Sequence, residues 1–175
     1  MEEAVPARLG DGAKALRRKG ARLPVPEPLE PLDRRITAWM NRHGATLTRI
    51  SLGIVYLWFG ALKFFPGTSP AETLATDTIT RLTGGNIPEH LARIGLASWE
   101  VLIGLGLLSG KYLRITLLLL WLQMAGTLLP LVFFPDETFA RFPLVPTLEG
   151  QYIIKNLVII SAAIMVGGTA RRQGG

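Results

Sequence analysis

The sequence predicts an all-α fold: a polytopic membrane protein built as a four-transmembrane-helix bundle, preceded by a basic, largely disordered N-terminal leader. Three observations predict it. Of the 175 residues, 49% are hydrophobic and 18% charged, and the mean hydropathy of +0.32 is unusual for a soluble domain. Half of the charged residues lie in the first fifty positions, which leaves long charge-poor stretches behind them. Four of those stretches, at about 46–65, 89–108, 113–134 and 151–168, are long enough to cross a hydrocarbon core about 30 Å thick.

Composition also excludes several function classes. The net charge of +6 and the sequence pI of about 10.2 invite a nucleic-acid reading. The basic residues, however, cluster at the ends of apolar runs, where they set topology and meet anionic headgroups, so no nucleic-acid partner is expected. The chain has no cysteine and therefore no disulfide, iron–sulfur cluster or thiol exchange of its own. Redox work would need a bound cofactor or a partner. With only His43 and His90, at no metal-ligand spacing, no metal site is expected. The first apolar run begins too far into the chain for a secretory signal and lacks a small-residue cleavage site, so it should stay in the mature protein.

Taken in order, residues 1–32 mix Arg and Lys with Pro24, Pro26, Pro28 and Pro31 and show no sustained apolar period, which predicts disorder. Residues 33–45 read as an interfacial amphipathic helix: Asp33 can cap it, Ile36, Trp39 and Met40 share one side, and Arg34, Arg35 and Arg42 the other. Gly44 is the expected joint to the first span, 46–65, which Pro66 and Gly67 stop. Within that span Gly53, Tyr56, Gly60 and Lys63 share a face, and the two glycines leave room for a close neighbour. Ser69, Pro70 and Glu72 form a capping box for a short extramembrane helix reaching about Leu82. Gly84, Gly85 and Pro88 then reset the chain for the second span.

Ser109-Gly110-Lys111-Tyr112 is short enough to force an antiparallel hairpin between spans two and three. Pro130 interrupts the third span and is expected to leave the Gly126 carbonyl free near Thr127. A proline-rich loop leads to the fourth span, after which come Arg171 and Arg172. The leader, the Lys111–Arg114 turn and the C-terminal arginines are basic. The two opposite loops carry Glu72, Asp77, Asp136, Glu137 and Glu149 against Arg81 and Arg141. Both termini are therefore expected on the cytoplasmic side of a prokaryotic inner membrane.

The second span sets Glu100 about twelve residues, or roughly 18 Å, below Pro88, near the bilayer midplane. A charge at that depth costs on the order of 3 kcal/mol and normally faces a helix or a cavity rather than lipid. Lys63, Arg93, Gln123, Lys155 and Asn156 fall in spans able to face it, with Arg93 seven residues before Glu100 and so on the same face. Alternatives stay open for each. Lys63 and Arg93 read equally as side chains that snorkel to the outer headgroups, and Lys155 beside Asn156 reads as an interior group. Glu100 is a protonated structural carboxyl bonding a neighbouring helix, an ion-pair partner of Lys155 or Lys63, or a ligand or proton site. Gln123 reads as helix-to-helix glue. Tyr56, Trp58 and Trp99 are aromatic neighbours, and Trp58, Trp99 and Trp121 fit packing or interface anchors better than a cofactor box.

The same residues carry a family likeness. Arg49 with Phe59-Gly60-Ala61-Leu62-Lys63-Phe64, then Glu100 followed by Ile103-Gly104-Leu105-Gly106-Leu107-Leu108, then Gln151-Tyr152-Ile153-Ile154-Lys155-Asn156, together resemble the DoxX-like family of small bacterial and archaeal membrane proteins, over roughly residues 46–172. The resemblance implies a four-helix bundle. It further implies a membrane subunit of a quinone-linked, or a thiol, sulfur or oxidative-stress redox system, with possible redox-complex partners and quinone as the implied cofactor; no catalytic set transfers with it. Three readings follow: a redox subunit with Glu100 passing a proton and Lys63 or Lys155 donating to a carrier, a non-catalytic anchor or assembly factor, and a small-solute or proton-coupled transporter. The last would need a homo-oligomer, because four spans show no repeat.

Overall fold

The computed structural model describes residues 27–68 and 72–170. The leader through residue 26, Ser69 and Pro70 of the expected capping box, and Arg171 and Arg172 lie outside the described residues. Four helices are long and apolar enough to cross a membrane: Glu30–Leu62, Glu89–Ser109, Leu113–Phe133 with a step inside it, and Leu148–Thr169. The chain is thus an all-α four-helix membrane protein, as its hydropathy predicts.

The chain divides into two compact units, residues 1–41 and 42–175. In the first, a 3-10 turn at Glu27–Leu29 leads into helix α1 (Glu30–Leu62). Pro31 is tolerated there because a first-turn N–H has no helical partner to lose. Arg34 pairs with Glu30 at 2.6 Å one turn apart, on an exposed surface. Ile36, Trp39 and Met40 are all exposed, as are Arg34, Arg35 and Arg42.

In the second unit, Gly44 is not a joint: α1 continues through it, and the Thr48 hydroxyl donates to the Gly44 carbonyl at 2.9 Å. A lone glycine costs a helix only about 1 kcal/mol, and no proline stands between residue 44 and Pro66 to force a stop. The helix presents Leu52, Gly53, Tyr56 and Gly60 inward, close to the predicted face. Helix α2 (Glu72–Thr83) lies outside the four spans. It buries Thr76 and Thr78 by turning their hydroxyls onto its own backbone; Thr78 Oγ1 donates to the Leu74 carbonyl at 2.7 Å.

Helix α3 (Glu89–Ser109) ends at Gly110, whose φ of +67 is the left-handed conformation that glycine adopts without a Cβ clash. The turn is tight, and α4 (Leu113–Leu128) returns antiparallel. Pro130 does break the third span, into α4 and the short α5 (Pro130–Phe133). The Gly126 carbonyl is not left free, however. The Leu129 N–H takes it at 3.1 Å in a tightened last turn, and Thr127 donates instead to the Gln123 carbonyl at 2.9 Å.

Helix α6 (Pro135–Thr138) and a two-stranded antiparallel hairpin, β1 (Phe139–Arg141) and β2 (Val145–Pro146), form the last loop, with a cis peptide at Phe142–Pro143. Helix α7 (Leu148–Ala170) starts earlier than hydropathy places it, because Thr147 caps it. The Thr147 hydroxyl accepts the Gly150 N–H at 3.2 Å and donates to the Glu137 carbonyl at 2.6 Å.

Packing follows the glycines. A Cβ on Gly53 would meet the Leu108 side chain at 2.8 Å, on Gly60 the Glu100 Cβ at 2.8 Å, and on Gly104 the Leu57 backbone N at 2.6 Å. Small residues let α1 and α3 approach backbone to backbone, the packing that lipid, which offers no hydrophobic drive, demands of helices. Helix α4 packs against α3 on one side and α7 on the other. Their shared core holds Ile103, Leu107, Leu120 and Val166, all fully buried, beside Leu52 and Tyr56. Outward residues such as Ile54, Trp58, Leu102, Leu118, Val158 and Ile164 remain exposed, which suits hydrocarbon rather than water.

Candidate functional site

Glu100 is buried midway along α3, eleven residues into the helix. Its backbone rests against Gly60 of α1, so no side chain separates the two helices at this level. Lys63 lies just beyond the last residue of α1 and one turn above Gly60. A helical side chain leans toward the N-terminus of its helix. The lysine stem therefore runs down the groove, and Nζ reaches both carboxylate oxygens of Glu100 at 2.5 Å. Both side chains are largely desolvated, at 15% and 10% relative exposure.

The third member comes from α4, where Gln123 Nε2 donates to Glu100 Oε1 at 2.6 Å. A carboxylate in an apolar bundle is tolerated only when its lone pairs are occupied and its charge is matched, and these two donors supply both conditions. Among the described residues, two further polar side-chain atoms are buried without a protein partner, the Tyr56 hydroxyl and Gln123 Oε1. Tyr56 lies on the inner face of α1 one turn before Gly60, the residue that rests against Glu100, and is buried in one cluster with Ile103 and Leu107 of α3. The site thus joins a matched ion pair to one unused donor and one unused acceptor.

Arg93, one turn below the start of α3, holds this arrangement from outside. It pairs with Glu72 of α2 at 3.4 Å and donates to the carbonyls of Lys63 at 3.2 Å and Phe64 at 3.3 Å, where α1 has run out of helical donors. Glu72 in turn accepts the Gly67 N–H at 3.2 Å. Arg93 is therefore a positioning residue: it fixes the backbone from which Lys63 reaches inward. Arg81 of α2 closes the same end, donating to the Phe133 carbonyl at 3.1 Å and stacking over Phe133 and Phe134.

The structure brings together Glu100, Lys63, Gln123 and Tyr56, and sets Arg93 beside them. It does not bring in the others. Lys155 is exposed on α7 with its ammonium over the Tyr152 ring at 5.5 Å, so Lys63, not Lys155, is the partner of Glu100. The cause is rotational: Ile153, Ala163 and Val166 define the buried face of α7, and Lys155 lies off it. Asn156 is half-buried on the same helix, and among the described residues no hydrogen bond ties it to Glu100. Trp99 turns away from the carboxylate, and its indole N–H is committed to the Leu119 carbonyl at 3.1 Å.

Two contributors escaped the reading of the sequence. Glu72 reads as a capping residue in the sequence and pairs with Arg93 in the fold. Arg49 donates to the carbonyls of Leu107 and, at 3.2 Å, Leu108, closing the other end of the α1–α3 pair. A signal existed for Arg49, since Arg49, Gly53, Tyr56, Gly60 and Lys63 recur at alternating spacings of four and three, a single helix face. Comparison with models of known protein families, with curated proteins and with solved structures finds no match.

Proposed function

We propose that this chain is an integral membrane subunit of a quinone-linked, or a thiol, sulfur or oxidative-stress, redox system, built around a polar site in the outer half of the bundle. The observation that carries the reading is the buried constellation at Glu100: a matched charge pair beside one unused donor, the Tyr56 hydroxyl, and one unused acceptor, Gln123 Oε1. A neutral, lipid-soluble carrier with a carbonyl or hydroxyl oxygen suits such a lining. Tyr56 and Lys63 are the donors to that oxygen, Glu100 holds or releases a proton, and the electrons come from a partner subunit, because the chain has no cysteine. The resemblance to DoxX-like proteins belongs to the same proposal.

Placement in a prokaryotic inner membrane with both termini cytoplasmic is supported by Arg34, Arg35 and Arg42 ahead of the first span and by Lys111 and Arg114 in the short turn between the second and third, against one arginine in each opposite loop, Arg81 and Arg141. A second reading, a non-catalytic anchor or assembly factor, draws on how fully Lys63 Nζ and Gln123 Nε2 satisfy the Glu100 carboxylate. The transporter reading rests on the buried mid-helix Glu100 and on the Pro130 step in the third span, where the Leu129 N–H takes the Gly126 carbonyl.

The test is the quinone and lipid content, by mass spectrometry, of wild type, Tyr56→Phe, Glu100→Gln and Lys155→Ala purified in mild detergent. A carrier retained by wild type and Lys155→Ala but depleted in the other two supports the redox reading. Equal retention in all four, or retention in none, overturns it in favour of the anchor.

A further inference from the structure

The hairpin between α6 and α7 is held rigidly at its base and is apolar at its tip. At the base, Thr138 is fully buried and donates to the Phe134 carbonyl at 2.9 Å, the Thr147 N–H reaches the Thr138 carbonyl at 3.0 Å, and Gly150 packs directly on that carbonyl. At the tip, the Leu144 N–H closes a turn onto the Arg141 carbonyl at 3.0 Å, and Phe142 sets its ring edge-on to Phe139. Phe142 is 72% exposed, Leu144 85% and Val145 47%. Three large apolar side chains are thus displayed by a segment whose backbone is fully organised.

Distance decides what they meet. The hairpin leaves the third candidate span at Phe133 and re-enters the fourth at Leu148. Its strands, three and two residues long, carry the tip at most about 10 Å from the base. The interfacial layer between hydrocarbon and bulk water is itself roughly 5–8 Å deep on each side. Val132, Leu148 and Tyr152 on the adjoining helix ends are exposed as well, interspersed with the exposed Asp136, Glu137 and Glu149, the mixture of apolar and charged side chains that an interfacial layer accommodates. Arg141 is exposed beside the tip, and a guanidinium next to exposed apolar side chains is the usual arrangement of a membrane-seated element.

We propose that the Phe142–Val145 tip is a membrane-interface anchor, seated among the headgroups and first methylenes of the bilayer that the helices cross. Its occupant is lipid, not solvent and not a second protein. The hairpin then fixes the tilt and depth of α7, from which Lys155 extends over Tyr152 toward the same layer.

The cysteine-free chain allows a direct test. Leu144→Cys and, separately, Phe142→Cys are labelled with a nitroxide in the full-length protein in phosphatidylcholine vesicles, and collisions with dissolved oxygen and with a water-soluble nickel chelate are measured by power saturation. Leu144 is so exposed that labelling there leaves the packing intact, and Phe142→Cys gives up only the ring contact with Phe139. The expected result is a label that oxygen reaches more readily than nickel, approaching the ratio of a Leu118→Cys reference on the lipid face of α4. A label as open to nickel as the free spin label in buffer overturns the proposal. So does one immobilised and shielded from both reagents, which would mean a protein contact.

Discussion

The Lys63–Glu100 pair is tested most sharply by a double-mutant cycle. At 2.5 Å and an effective permittivity near 20, the Coulomb attraction is about 7 kcal/mol. Desolvating the two ions costs several kcal/mol each, so the net worth of the pair is small, while stranding one partner is expensive at about 3–5 kcal/mol. Lys63→Met removes the ammonium and keeps the stem, leaving Glu100 in mid-helix with Gln123 as its only donor among the described residues. It should cost about 3–5 kcal/mol. Glu100→Gln should cost less, about 1–3 kcal/mol, because Lys63 sits at a helix end and its stem can swing the ammonium out to the headgroups. The double variant should be destabilised by less than Lys63→Met alone. The assay is reversible unfolding in mixed micelles titrated with denaturing detergent, followed by far-ultraviolet circular dichroism. A double variant whose loss equals the sum of the two singles would refute the reasoning, since it would mean that the groups do not sense each other.

Gly104→Ala should lose about 1–3 kcal/mol because its methyl meets the Leu57 backbone, whereas Gly95→Ala, with nothing within 4 Å, should be neutral or gain about 0.4–1 kcal/mol; the same titration reads both. Arg93→Met should speed hydrogen exchange in α2 by releasing Glu72 and the two α1 carbonyls, and exchange unchanged from wild type would remove its positioning role. Thr147→Val should lose about 1 kcal/mol with faster exchange in the first turn of α7, the signature of a lost cap.

How much of this was legible in the sequence follows from the physics of each element. Apolar length fixed the four spans, because crossing hydrocarbon requires it, and the Gly53–Tyr56–Gly60 face was readable from helical period alone. The partner of Glu100 was narrowed to two lysines but not chosen. Choosing needed the rotation of α7 about its axis, and that rotation comes from packing against α4, where hydropathy is nearly uniform around the helix. Gly44 looked like a joint because glycine often marks one, but a helix that pays only a propensity cost runs through. The start of α7 was missed for the opposite reason: Thr147 acts through hydrogen bonds to Gly150 and Glu137, which leave no trace in apolar content. Arg49 and Glu72 meet partners on other helices, and one sequence does not reveal such pairings.

The position of the lysine has a consequence for how the protein is made. Lys63 precedes Glu100 by 37 residues, so α1 is already synthesised when α3 leaves the ribosome. Alone, α3 is apolar enough to cross, but its central carboxylate sets an unfavourable increment of about 3 kcal/mol against its hydrophobicity. Beside an α1 that offers both a glycine notch and a waiting cation, that increment is largely cancelled. The second span is therefore a conditional passenger of the first, and membrane integration of this chain should proceed by helical pairs rather than one helix at a time.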